Sequence, residues 1–209
     1  MKGKNQFEVG EKFVLQPAMG LPSGYSAGYS YEYYGGNATY CIIPKVSIDL
    51  GCVLPYKGDY FANASLAEPM SCIIGAFHAT YHTTPYVYEH QMGLKDGGSV
   101  ALLGCAGPMG LGAIDYAVHG PYNSKRVVVV DIDEARLERA KLLIDPEDAA
   151  KNGVELIYVN TKDNDHAVED LKNLNGGKGY DEAFVFAPVK PLIEMGPEAG
   201  VGGGYVIAE

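Results

Sequence analysis

Between residues 99 and 133 the apolar positions change their spacing three times. Residues 100–103 form a short unbroken apolar run, as expected of a strand buried on both faces of a parallel sheet. Gly104, Gly107 and Gly110 then mark a turn. From 109 to 118 the apolar residues return at helical spacing, so that Met109, Ala113, Tyr116 and Ala117 can share one face. Pro108 stands in the first turn, where an amide has no helical partner and its loss costs nothing. A second apolar run, 126–130, ends in Asp131. The order is strand, turn, helix, strand, acid.

The same alternation continues. A helix is expected over 134–143 with Asp133 as N-cap, broken at Asp145-Pro146. A strand over 154–159, a helix over 165–174 and a Gly-rich turn at 175–179 follow. Then come a strand at 182–186, a short helix at 191–195 and the start of another strand at 204–208. Such repetition implies an α/β fold, a doubly wound parallel sheet covered on both faces, with right-handed crossovers.

The first third reads differently. Residues 9–17 suggest a turn and a strand stopped by Pro17. Residues 18–36 are irregular and rich in Gly, Ser and Tyr. Tyr25, Tyr29, Tyr31, Tyr33 and Tyr34 either pack a loop against a sheet or line a polyol pocket or a subunit contact. A strand is expected over 37–43, ended by Pro44, then loops and short strands over 45–60. The apolar stripe Met70, Ile73, Ile74, Phe77 and Tyr81 predicts a helix over 68–83, closed by Thr84-Pro85. A polar linker at 91–98 leads into the next strand. This divides the chain into residues 1–84 and 85–209.

Composition narrows the function classes. The 209 residues are 47% hydrophobic and 20% charged, enough for a substantial core. The net charge of −10 lacks the basic patch that nucleic acid requires. No apolar run approaches the roughly 18 residues of a membrane span, and the amino-terminal residues have no signal-peptide pattern. Cys41, Cys52, Cys72 and Cys105 are scattered, which reads as reduced thiols in a cytoplasmic protein rather than a disulfide framework or a cysteine-rich zinc knuckle.

The turn carries the chemistry. A pyrophosphate would rest on the free amides at the helix start, where the dipole favours negative charge. Gly104, Cys105, Gly107, Pro108, Met109 and Gly110 are its candidate contacts. Asp131, twenty-one residues after Gly110, and Ile132 are placed for the ribose diol of NAD(H). Phe186 and Ala187 end the fourth strand of the sheet, where a nicotinamide would pass. The Gly-x-Gly-x-x-Gly register is imperfect: its first position is Cys105, with Gly104 one residue earlier. The alternative is an ordinary strand–helix loop of another α/β fold. Cys105 is either a redox-sensitive thiol or a small residue where glycine is usual. His78 and His82, four apart, suggest a metal pair but no third ligand is in view. His90, His119 and His166 read as surface groups.

Four segments together resemble the medium-chain dehydrogenase/reductase superfamily, the zinc-type alcohol and polyol dehydrogenases. They are Val9-Gly-Glu-Lys-Phe-Val, Gly35-Gly-Asn-Ala-Thr-Tyr-Cys-Ile-Ile-Pro, Leu66-Ala-Glu-Pro-Met-Ser-Cys-Ile-Ile-Gly-Ala-Phe-His-Ala, and Ala106-Gly-Pro-Met-Gly-Leu with Val130-Asp131. The third segment and Gly107-Pro-Met-Gly-Leu-Gly-Ala-Ile-Asp-Tyr are similar to the L-sorbose 1-phosphate reductase-like set. The resemblance implies a Rossmann domain over 85–209 and, over 1–84, part of a β-rich GroES-like catalytic domain with its connecting helix. It implies an NAD(H)-dependent, zinc-assisted oxidoreductase interconverting a secondary alcohol and a ketone of a small-molecule polyol or sugar phosphate, and a homo-oligomer. Glu68 takes the family's catalytic and metal-site position. The family's other zinc ligands and its last strand are not in this chain, which therefore reads as an internal piece of a longer enzyme. Structural zinc is not expected, since no cysteine falls between Val14 and Gly35. A zinc-free quinone reductase-like member and a truncated nucleotide-binding module without activity are the alternatives.

Overall fold

The computed structural model describes residues 7–36, 38–200 and the backbone of the strand 205–207. Its contacts divide the chain into two compact units, Met1–Pro69 and Met70–Glu209. The division falls inside a helix, ahead of the 84/85 border read from the sequence.

In the first unit, β1 (Phe13–Leu15) pairs antiparallel with β2 (Val53–Pro55), after α1 (Lys45–Asp49) and before α2 (Phe61–Ala64). Its core is small: Met19, Tyr34, Ser47, Cys52 and Val53 are buried, and the Ser47 hydroxyl donates to the Met19 sulfur at 3.0 Å. The expected strand at 37–43 is not formed. Asn37 lies outside the described residues, and residues 38–43 are irregular. Tyr40 and Ile42 are 90% and 67% exposed. Strand-favouring residues alone make no strand; a ladder needs a neighbour, and here the Ile42 amide donates to the Tyr33 carbonyl, at 2.7 Å. The helix α1 replaces an expected loop.

The helix α3 (Ala67–Ala79) crosses the division. It stops four residues short of the expected 83. The Thr80 hydroxyl donates to the Phe77 carbonyl at 2.8 Å, and Thr80, Tyr81 and Thr83 favour extended backbone. Tyr81–Thr83 (β3) instead pairs antiparallel with His90–Met92 (β4), where a linker was expected.

The alternation that follows is observed: β5 (Ser99–Leu103), α4 (Pro108–His119), β6 (Arg126–Asp131), α5 (Glu134–Leu143), α6 (Pro146–Lys151), β7 (Glu155–Asn160), α7 (Ala167–Leu174), β8 (Glu182–Val185), α8 (Lys190–Ala199) and β9 (Tyr205–Ile207). Asp133 caps α5, accepting from the Arg136 amide at 3.1 Å. Asp145-Pro146 both ends one helix and starts α6, because Asp145 accepts from the Glu147 amide at 2.9 Å and proline suits a first turn.

The five strands form one parallel sheet in the order β7-β6-β5-β8-β9. Side chains alternate between its faces. Val100, Leu102, Val127, Val129 and Phe184 meet Ile73, Phe77, Ala113 and Ile114 on one face. Ala101, Leu103, Val128, Val130 and Val185 meet Leu171 and Ala199 on the other. This is the doubly wound sheet that the apolar runs imply.

Phe77 joins α3 to this core. It is fully buried and stacks on Phe184 with ring centroids 4.5 Å apart. Truncation leaves a cavity between helix and sheet, so Phe77→Ala lowers unfolding free energy by about 3–5 kcal/mol in denaturant titration. A loss below about 1 kcal/mol would show that α3 does not rest on the sheet through this ring.

Candidate cofactor site

The sheet's connections diverge around β5. The chain leaves β5 through α4 to reach β6 on one side, and arrives from β7 through α7 at β8 on the other. The carboxyl ends of β5 and β8 therefore flank the crevice where ligands settle in open α/β sheets. Both cofactor segments of the sequence end there.

The turn after β5 is fastened to the end of β6. The amides of Gly104 and Cys105 both donate to the Val130 carbonyl, at 2.7 and 3.1 Å. The Ala106 amide donates to Asp131 Oδ2 at 2.9 Å. Gly104 has φ +67°, a left-handed conformation that side chains disfavour, and a Cβ there would press on Leu192 and Ala187. Gly104 thus supplies the sharp turn one residue ahead of the usual glycine position. Gly110 is needed for a different reason: a Cβ would collide with the Cys105 carbonyl.

The helix α4 starts without a side-chain cap. Gly107 is its N-cap residue, Pro108 follows, and the Gly107 carbonyl is first used by the Leu111 amide at 2.9 Å. Helix geometry leaves the amides of Met109 and Gly110 with no carbonyl one turn back. These amides, with the aligned dipole, are the kind of helix start at which an anion can rest.

Cys105 packs inward. It is fully buried, and its Sγ donates to the Gly110 carbonyl at 3.3 Å. Burial first, and then the charge of Asp131, push the thiol well above its usual range. It is a protonated packing group, and of its two readings the geometry supports the small residue.

Asp131 is 7% exposed. Besides Ala106, its carboxylate accepts from the amides of Ile132 and Asp133 through Oδ1, at 2.8 and 3.0 Å. Beside it lies a recess of about 620 Å³ lined by Asp131, Ile132, Asp133, Glu134, Arg136, Asn160 and Lys162. Asn160, Lys162 and Arg136 were not singled out from the sequence. The parallel register of β6 and β7, which sets Asp131 opposite Asn160, is the signal that brings two of them here. The Phe186 amide donates to the Leu103 carbonyl at 2.9 Å, so Phe186 and Ala187 run beside the turn.

The metal candidates do not converge. His78 lies on α3 but His82 lies on β3, so the pair shares no helix face. His119 pairs with Asp115 at 2.9 Å, and His90 and His166 are exposed. Glu68 stands half-buried in the first turn of α3, in the first unit. Among the described residues no three His, Cys, Asp or Glu side chains are grouped to hold a metal ion. The residues present do not fit a zinc site.

The chain is 65% identical over 192 residues to mannitol-1-phosphate 5-dehydrogenase of Aliivibrio fischeri, covering 92% of this chain and 45% of that protein. It is 38% identical over 196 residues to L-sorbose 1-phosphate reductase of Klebsiella pneumoniae, covering 93% and 46%. The crystal structure of 2R,3R-butanediol dehydrogenase from Bacillus subtilis superposes with a TM-score of 0.68 at 19% identity, over 99% of this chain and 54% of that one. That identity speaks for the fold alone. No family model matches. Both sequence relatives are named as oxidoreductases, and the solved dehydrogenase structure shares the chain's fold.

The expected resemblance is borne out, including the likeness to the sorbose phosphate reductase. So is the fold class of that superfamily, a Rossmann sheet with part of a GroES-like domain. The chain spans about half the length of the relatives it matches. Among the described residues of this dehydrogenase homologue, no helix is long and apolar enough to cross a membrane.

One strongly perturbed carboxyl lies at the far end of the sheet. Glu182 begins β8, is 2% exposed, and accepts from the Lys95 amide at 2.8 Å, while its Oε2 has no partner. Burial pushes it from 4.5 up to about 7, and Asp181 adds to the rise. Between these values the folded chain keeps a proton that the unfolded chain releases, so this residue's contribution falls as pH rises and is least favourable above pH 7. Glu182→Gln removes the penalty. In thermal unfolding the variant gains up to about 3 kcal/mol near pH 8 and little near pH 5. An equal gain at both values would assign the effect to packing.

Proposed function

We propose that this chain carries the nicotinamide-cofactor site of an NAD(H)-dependent oxidoreductase, which in the parent protein interconverts a secondary alcohol and a ketone of a polyol or sugar phosphate. The observation that carries the reading is the uncapped start of α4 behind the 104–110 turn, at the crevice between β5 and β8. On this reading residues 85–209 are the cofactor domain and residues 1–84 belong to the catalytic one. The substrate class rests on the relatives, one named for mannitol 1-phosphate and one for L-sorbose 1-phosphate.

The chain's own groups divide the work. The amides of Met109 and Gly110 and the dipole of α4 take the pyrophosphate. Gly104 and Gly110 let the backbone come close to it. Phe186 and Ala187 border the nicotinamide end and keep water from it. The bound cofactor supplies or accepts the hydride; the protein's share is to hold the ring in line with the carbon that reacts. Around the ribose, Asp131, Asp133 and Glu134 outnumber Arg136 and Lys162. That excess of negative charge opposes a 2′-phosphate and favours NAD(H) over NADP(H). Glu68 is the residue that the family pattern assigns to a catalytic metal, and alone it makes no site.

Titration calorimetry of this chain with NADH and NADPH tests the reading. NADH binds, and NADPH binds at least about tenfold more weakly, a difference of roughly 1.4 kcal/mol. Failure of both to bind, or tighter binding of NADPH, would overturn it. For the parent protein, mannitol 1-phosphate with NAD yields NADH absorbance. Quinone reduction with no sugar-phosphate turnover would favour the quinone reductase-like alternative.

A further inference from the structure

We propose that a recess at the amino end of the parallel sheet, remote from the cofactor crevice, binds a phosphate dianion between Lys95, Lys125, Arg126 and Lys178. The inference does not rest on the cofactor reading, and no residue of the 104–110 turn takes part in it.

The recess has a volume of about 380 Å³. It lies where three strands begin: Ser99 starts β5, Arg126 starts β6, and Asp181 stands directly ahead of β8. Its composition points to an anion. Four of the 16 Lys and Arg residues line it, in a chain whose net charge is −10. No apolar side chain does. Much of the wall is glycine, for backbone reasons: Gly97 and Gly176 have φ of +66° and +68°, and a Cβ on Gly179 would meet the Gly200 backbone at 2.7 Å. An apolar ligand finds nothing here to bury against, whereas a small charged one meets a concentration of opposite charge.

The floor of the recess is fixed by its own bonds. Asn175 Nδ2 donates to the Ser99 hydroxyl at 3.0 Å and to the Gly179 carbonyl at 2.9 Å, and its Oδ1 accepts from Arg126 at 3.1 Å. The Ser99 hydroxyl donates in turn to Asp181 Oδ2 at 3.1 Å. Arg126 also donates to the Leu174 carbonyl at 2.6 Å and to Glu155 at 2.7 Å.

The rim differs. Lys125 and Lys178 are exposed, and among the described residues neither ammonium has a hydrogen-bond or carboxylate partner. Two carboxylates offset part of the positive charge, since Asp181 pairs with Lys95 and Glu155 with Arg126. The Asp96 and Glu182 carboxyls do not line the recess; they accept from Asn123 and from the Lys95 amide. Four cations against two carboxylates leave an excess of two positive charges, which a phosphate dianion matches. Its oxygens accept charge-assisted hydrogen bonds, stronger than neutral ones, from the two open ammonium groups. The dianion is either free phosphate or the phosphoryl end of a monoester.

The test follows the backbone amides of the isotopically labelled chain by NMR during titration with inorganic phosphate, and with sodium chloride at matched ionic strength. Phosphate shifts the amides of Gly97, Gly98, Gly176 and Gly179 to saturation, and chloride does not. In the double variant Lys125→Gln, Lys178→Gln the half-saturating phosphate concentration at these amides rises roughly tenfold or more, through loss of two charge-assisted contacts. The double variant Lys125→Arg, Lys178→Arg keeps the charge and binds phosphate. Both lysines are exposed and unpaired, so neither variant threatens the fold.

No saturable shift at these glycines, a chloride response equal to that of phosphate, or a glutamine variant that binds as wild type does would overturn the proposal. Shifts confined to Gly107, Met109 and Gly110 would place the anion at the start of α4 alone; they would overturn the proposal and leave the cofactor reading intact. Glycerol 1-phosphate, titrated in the same way, separates the two sources. Tighter binding than inorganic phosphate supports the site as one for a phosphate monoester, and weaker binding supports it as one for free phosphate.

Discussion

The end of one strand holds the turn of another. The Val130 carbonyl takes the amides of Gly104 and Cys105, and the Asp131 carboxylate takes that of Ala106. These three bonds bridge residues that are far apart in sequence and adjacent only because β5 and β6 pair in parallel, with Leu103 opposite Val130. The site therefore depends on the register of the sheet. A slip by one residue would reverse every side chain on β6 and withdraw the acceptors from the turn. The core secures that register: Leu102, Val129 and Phe184 lie side by side on one face, under Phe77.

The two ends of the sheet carry different burdens. At the carboxyl end the backbone leaves donors open, at the start of α4, where an anionic ligand can complete them. At the amino end the polar groups are mostly matched internally. Asp181 accepts from the amide and hydroxyl of Ser99 and pairs with Lys95, while Arg126 reaches Glu155 and the Leu174 carbonyl. Among the described residues two buried groups are exceptions: the Ser124 hydroxyl lacks a partner, and Glu182 has an orphaned oxygen and a raised pKa that come from burial beside the apolar face rather than from placement in the crevice. A perturbed carboxyl is a common mark of an active site; here its position on the opposite edge argues for a cost to stability instead.

Much of the second unit was legible in the sequence because its signals are local or redundant. The runs at 100–103 and 127–130 are apolar throughout since both faces are covered, and Pro108 and Asp133 mark helix starts through their own backbone chemistry; Asp145-Pro146 reads only as a break, so the short helix α6 that it starts went unseen. The first unit was harder to read. Residues 38–43 have the β-branched and aromatic composition of a strand, but pairing depends on a neighbour that composition cannot supply. The end of α3 was misplaced because Tyr81 continues the helical stripe, while Thr80 hydrogen-bonds back to Phe77 and turns the chain into a hairpin. That change also separates His78 from His82. At the site, the glycines and the acid were visible as spacing, but the direction of the Asp131 carboxylate depends on how two strands and a lengthened turn meet.

The central claim is that the first amides of α4 receive the cofactor's pyrophosphate. The most direct measurement is an NMR titration of the isotopically labelled chain with NADH, following the backbone amides. The account predicts that the amides of Gly107, Met109 and Gly110 shift most on binding. Largest shifts at the opposite edge of the sheet, around Lys95, Lys125 and Lys178, with the start of α4 unmoved, would contradict it.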